Sequence, residues 1–194
     1  MKSIILGLSL FSINVLAQTA GKPFQLDNGK YATECWYAGV NNTQDGVQRY
    51  DGYDKGVSTV INQGTTNVEY SQSQSEDSIS NSVTKTTTTD LGNGLFKQIT
   101  ESTYTDSFGD QTQTQSSKYE STTKVDGNRS QTQTVKKEGE AERPGVGESI
   151  WKKMEDGRIV LQSYLREKRS YTSKGSKTLE TVVSNSLCIY TLIK

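Results

Sequence analysis

The sequence contains no histidine, and that single absence removes a good deal of chemistry. Ser-His-Asp and Cys-His nucleophilic catalysis both need an imidazole that titrates near neutral pH, and the commonest zinc and iron sites draw on the same side chain. Cysteine is nearly absent too. Cys35 and Cys188 are the only two, and two isolated thiols cannot by themselves fill a tetrahedral zinc shell. No glycine-rich phosphate loop joins a strand to a helix, since Gly92-Asn93-Gly94 reads as a turn. No charge of one sign dominates either. The 22 basic residues face 22 acidic ones, so no net field steers the chain toward nucleic acid or an anionic membrane. The sequence therefore assigns no catalytic, no cofactor-binding and no metal-ligating residue, and an enzyme is not expected.

Long apolar runs are missing everywhere except at the start. Met1-Lys2 forms a short positive region, and Ile4 to Ala17 is apolar with only small or polar interruptions. That run is shorter than the roughly 20 residues a membrane-spanning helix needs. Val15-Leu16-Ala17 offers small or β-branched residues to a signal peptidase, so residues 1–17 are expected to be a signal peptide cleaved before Gln18. The apolar run is not followed by a cysteine, so lipid modification is not expected. Residues 18–194 then form one domain, left with one more acid than base once Lys2 is gone. The short charged start and compact signal point to secretion or to the periplasm, in a Gram-negative bacterium.

What is abundant is polar and β-branched. From about Thr65 to Lys137 the chain carries Ser71 to Ser75, Thr84 to Thr89, Gln111 to Gln115 and Gln131 to Thr134 as runs of Ser, Thr and Gln. Threonine is stiff at its first side-chain torsion and suits a pleated strand better than a helix. Glycine-containing turns punctuate the runs at 90–94, 108–110 and 126–128, and Asp126-Gly127 is the clearest hairpin signal. Large side chains are sparse here, so each strand could bury only one or two. The rival for such a composition is disorder, but regularly spaced turns favour sheet with two largely wet faces.

The two cysteines set the topology. In an exported chain an even pair reads as a disulfide, and Cys35 and Cys188 each sit in a candidate strand, 31–40 and 179–193. A bridge would join the two ends of the domain, and on the chain-entropy model a loop this long stabilises by about 5 kcal/mol. First and last strands of a meander meet only if the sheet closes or folds back. The expected fold is therefore all-β: an antiparallel meander of long polar strands joined by glycine turns, barrel-like or curved.

Residues 41–56 read as loop, and the carboxylates of Asp45, Asp51 and Asp54 lack the alternate spacing of a calcium-binding loop. Glu138 to Glu148 reads as a charged connection. Glu34, close to Trp36, reads as an outward strand residue next to an inward one. Paired carboxylates of the glycosidase type have no distinctive signature here. A helix over about 155–168 competes with a strand starting at Ile159, and Ile159-Val160-Leu161 favours strand. The core is expected in the C-terminal hairpin together with Tyr31, Trp36 and Tyr37. Along the last strand, Leu179, Val183, Leu187, Ile189 and Ile193 share one face, and Val182, Cys188, Tyr190 and Leu192 the other.

Two function classes survive. The first is a non-enzymatic structural or interaction protein of the cell surface or periplasm, whose polar strands and edges pair with a cell-surface partner or with copies of the same chain. The second is a carrier: a closed or half-closed, lipocalin-like barrel with a small apolar ligand in its mouth. Thr-x-Thr pairs at Thr103/Thr105, Thr112/Thr114 and Thr132/Thr134 raise an ice-ordering surface, which the missing repeat period opposes. A transmembrane barrel would need an apolar residue at every second position, and residues 111–118 have none.

Overall fold

A computed structural model describes residues 22–43, 46–74, 78–108, 111–138, 145–173 and 176–194. The expected signal peptide, Asp45 and residues 139–144 of the expected 138–148 connection lie outside the described residues, whereas Glu138 and residues 145–148, expected in that connection, are strand because they pair with neighbouring strands. Ten strands follow one another in sequence: β1 (Gly29–Thr43), β2 (Gly46–Gln63), β3 (Thr66–Gln74), β4 (Ile79–Gly92), β5 (Leu95–Phe108), β6 (Gln111–Asp126), β7 (Arg129–Glu138), β8 (Gly145–Lys153), β9 (Ile159–Ser173) and β10 (Ser176–Leu192). Each pairs antiparallel with its neighbours, and β10 returns to β1, so the meander is a closed barrel.

Local chemistry accounts for the meander. The Thr, Ser and Gln runs fall inside strands β3 to β7, as their β-branched content dictates. At one end the strands are joined by tight turns that use left-handed backbone. Gly92, Asn93 and Gly94 all have positive φ, and the Asp90 carboxylate accepts a 2.7 Å bond from the Gly92 amide. Gly127, with φ of 58°, makes the β6–β7 turn expected there. One further expectation fails. Residues 41–43 and 46–56, read as loop, belong to β1 and β2, because backbone pairing extends Asp- and Gly-rich segments that local propensity would release. Residues 159–168 are strand, as Ile159-Val160-Leu161 favoured over a helix.

The closing seam runs from the Tyr31–Leu192 pair to the Asn42–Thr181 pair. Cys35 and Cys188 sit directly opposite each other on it, 4.2 Å apart at Cα, and are disulfide-bonded. The bridge faces the lumen at mid-height. It fastens the pairing on which closure depends.

The register fixes which side chains face inward, and the lumen is unusually polar. Facing hydroxyls pair across strands as Ser71–Ser82 (2.6 Å), Thr84–Ser102 (3.2 Å), Thr86–Thr100 (3.2 Å) and Ser130–Ser149 (2.7 Å). Thr123, 1% exposed, donates to Gln98 Oε1 at 2.7 Å and pairs with Thr132 at 2.9 Å. Such ladders satisfy buried hydroxyls that would otherwise each cost about 1–3 kcal/mol. Conversely, Val68, Tyr70, Val83 and Leu187 point outward, the last three of them exposed and Val68 half-buried. Val182, Cys188 and Tyr190 take the inner face of β10.

The apolar core is small and lies at the tight-turn end. Leu26, Tyr31 and Val60 form it, with Phe24, Ile159 and Tyr190 packed alongside. Trp36, expected in the core, is 41% exposed and stacks on Tyr53 outside the barrel, ring centres 5.0 Å apart. Tyr37 does face inward, but toward the other end, over Gly52. A Cβ at Gly52 would lie 2.3 Å from its ring.

Candidate functional site: a roofed cavity in the lumen

The segment before β1 shapes one end of the barrel. Residues 22–28 turn across the tight-turn end and plug it. Leu26 is buried, and the ring of Phe24 lies 5.3 Å from Trp151 and 6.5 Å from Tyr190. Asn62, at the end of β2, anchors the segment's backbone: its Nδ2 donates to Leu26 O at 2.9 Å, and its Oδ1 accepts from Gln25 Nε2 and, at 2.8 Å, from Asn67 Nδ2. The Tyr31 hydroxyl donates to Asp27 O at 3.1 Å. Alternation of apolar and polar residues over Phe24-Gln25-Leu26 produces this: two inserted side chains flank one that binds the rim.

Beneath this roof lies a cavity of about 450 Å³. Its apolar wall is Phe24, Leu26, Val60, Phe96, Leu161 and Tyr190. The polar wall is Asn67, Glu69, Thr84, Thr86, Thr88 and Gln98. A smaller recess of about 190 Å³, bounded by Trp151 and Ile159, lies on the other flank of the same segment. The polar wall is largely self-satisfied, since Thr84 and Thr86 bond to Ser102 and Thr100, and Thr88 accepts from Gln98 at 3.5 Å.

Glu69 is the exception. On β3 it stands between Val60 and Thr84, both of which also line the cavity. Among the described residues no cation pairs with it and no hydrogen bond holds its carboxylate. Burial, with the Glu69 charge nearby, pushes the Tyr190 phenol well above its ordinary range, and both residues line the cavity. Lys22 reaches the same cavity from its exposed rim.

The other half of the lumen holds a different cluster. The Tyr104 hydroxyl donates to Ser80 Oγ at 3.1 Å, and Ser80 donates to Asp106. Burial raises the phenols of Tyr37 and Tyr104 and the carboxyl of Asp54, with Asp54 and Tyr104 contributing to the shift of Tyr37. Asp51 points away from Asp54, to the outside, and no group of three or more metal-ligating side chains assembles among the described residues. Glu34 and Trp36 are both outward, as a period of two demands, and Glu34 accepts from the Tyr53 hydroxyl at 3.2 Å. The Thr-x-Thr pairs divide: Thr103 and Thr105 lie outside, bonded to Ser116 and Thr114, whereas Thr132 lies inside against Thr123.

Sequence reasoning placed Tyr190 on one face with Cys188 but named no residue as lining a cavity. In Val68-Glu69-Tyr70 the two apolar residues point outward and the acid inward, because the lumen is the polar side. The usable signal was Phe24-Gln25-Leu26, an apolar alternation just ahead of the first strand.

No family model matches the chain, and no curated protein does. Among solved structures, it is similar to Neisserial surface protein A (10% identity, 84% of this chain and 97% of that one, TM-score 0.35). It is also similar to the β domain of the Bordetella autotransporter BrkA (7% identity, 86% and 100% coverage, TM-score 0.34). Neither likeness at these scores bears on what the cavity does.

Proposed function

We propose that this chain is an exported, water-soluble barrel without catalytic machinery that carries a small amphipathic molecule in its roofed cavity. The cavity itself carries the reading. At about 450 Å³, it falls within the roughly 300–1,000 Å³ typical of small-molecule sites. It also joins an apolar wall to a few convergent polar groups, the arrangement that holds a ligand's body and orients its head.

Two observations weigh against the rival classes. Closure confines unpaired strand edge to the end away from the tight turns, along residues 46–54 of β2, 111–117 of β6 and 168–173 of β9, which narrows the support for assembly through polar edges. A lipid-facing role meets the outward faces of β4 to β6, where Lys85, Glu101 and Lys118 form one run of ion pairs and Lys97 and Glu120 another, at mid-strand. Charges there would sit where a membrane barrel needs an apolar band. An interaction role through the outer surface keeps one supporting feature, the exposed Trp36–Tyr53 stack with Lys55 over the Tyr53 ring.

Native mass spectrometry on protein purified from its own host tests the reading. A carrier shows extra small-molecule mass that is lost on denaturation. A bare monomer that also takes up no added amphiphile would overturn it. The denatured mass reads two further expectations, loss of residues 1–17 and two missing thiol protons.

A further inference from the structure

Resting on the reading that the cavity holds a small molecule, we infer that its ligand is an organic cation, an amine or quaternary ammonium carried on an apolar body, with Glu69 as the counter-ion. Among the described residues, the one charged group of the lining that is not solvent-exposed is Glu69. That carboxylate lies between Val60 and Thr84 on the inner face of the barrel and has no cation or hydrogen-bond donor on it among the described residues. A carboxylate turned into a partly apolar space is costly until a cation or donor meets it. The remaining charged residues at the cavity are Lys22, exposed on the roof segment, and Asp90, exposed at the β4–β5 turn, where it already accepts from the Gly92 amide. These two offset each other, so the lining carries a net negative charge set by Glu69.

The rest of the wall suits the same ligand. The rings of Phe24, Phe96 and Tyr190 border the space, and aromatic rings attract organic cations that have shed part of their water. Leu26, Val60 and Leu161 offer surface to an alkyl or ring body, while the threonine hydroxyls opposite are already paired with one another. The free carboxylate makes a good partner for a cationic head.

Calorimetric titration of the purified exported chain with octyltrimethylammonium, octanol and octanoate tests this, since the three share a tail and differ in head charge. The cation is expected to bind at least about tenfold more tightly than octanol, the size of a charge-assisted contact in a partly buried site, and octanoate least. Glu69→Gln should erase the cation's advantage and leave octanol binding within about twofold. Equal affinities for all three in the natural chain would overturn the cation proposal and leave the carrier reading standing. A preference for octanoate would overturn it too, and would transfer the head-group role to Lys22. Binding of none of them would sink both readings. The ranking on the natural chain needs no variant, so it decides even if Glu69→Gln fails to fold.

Discussion

The two halves of the barrel lumen are built from the same Ser- and Thr-rich strands yet held together differently. Toward the tight turns, a plug of Phe24 and Leu26 meets Val60, Tyr31 and Tyr190, and apolar burial dominates. Toward the other end, Tyr37, Tyr50, Tyr104, Asp54 and Asp106 face one another, and hydrogen bonds with close ring-on-glycine packing do the same job. A Cβ at Gly39 would lie 2.3 Å from the Tyr50 ring, just as one at Gly52 would meet Tyr37. The lesson concerns specialisation. The half with the apolar plug keeps a covered cavity, whereas in the tyrosine half Tyr50 and Tyr104 stay exposed to solvent.

Breaking what both halves share should cost most. The Cys35–Cys188 bridge closes the seam at mid-height, and replacing both cysteines with serine is expected to lower stability by about 2–5 kcal/mol, read from the denaturant midpoint. Next comes the plug. Leu26→Ala removes the most buried apolar side chain of the roof and should cost about 2–3 kcal/mol, with a matching loss of amphiphile binding. The corresponding change in the other half, Tyr104→Phe, deletes one hydrogen bond to Ser80 and should cost only about 1 kcal/mol. Near-equal costs would mean that the halves are not held by different forces.

The tyrosine half should also carry its own pH signature. Burial raises the Asp54 carboxyl above its value in the unfolded chain, so the native state holds the proton more tightly in that window. The resulting stabilisation is present at acid pH and is lost as pH rises through the raised value. Asp54→Asn should therefore gain thermal stability relative to the natural chain as pH climbs out of the carboxylate range, with the difference levelling off before neutrality. A difference that instead grew toward acid pH would reverse the assignment. The smallest effect belongs to the outer surface. Lys97 and Glu120, 2.9 Å apart and substantially exposed, should contribute about 0.5 kcal/mol or less, and Lys97→Ala should shift the melting temperature by no more than a degree or so.

The fold was more legible than the site. Threonine runs, glycine turns and a cysteine pair at opposite ends of the domain are local or topological signals, and they led to an antiparallel meander that closes or folds back; the structure shows it closed. Core placement failed at Trp36 and the cavity was missed at Glu69 for one shared reason. Alternation tells which residues share a face but not which face is inside. The usual assumption, apolar inward, breaks down in a barrel whose lumen is lined with hydroxyls. The loop reading of residues 41–56 failed for a related cause: ladder hydrogen bonds to β10, and between β1 and β2 themselves, outweigh the weak strand preference of Asn, Asp and Gly.

By itself, then, the sequence determined the strand content, the turn positions, the pairing of Cys35 with Cys188 and the absence of imidazole chemistry, because each rests on residue type and spacing. The tertiary structure alone decided which face of each strand became lumen, that Phe24 and Leu26 plug one end, and that Glu69 meets a cavity with no partner among the described residues. Those outcomes depend on barrel closure. Closure is a property of all ten strands together, and no single stretch of sequence encodes it.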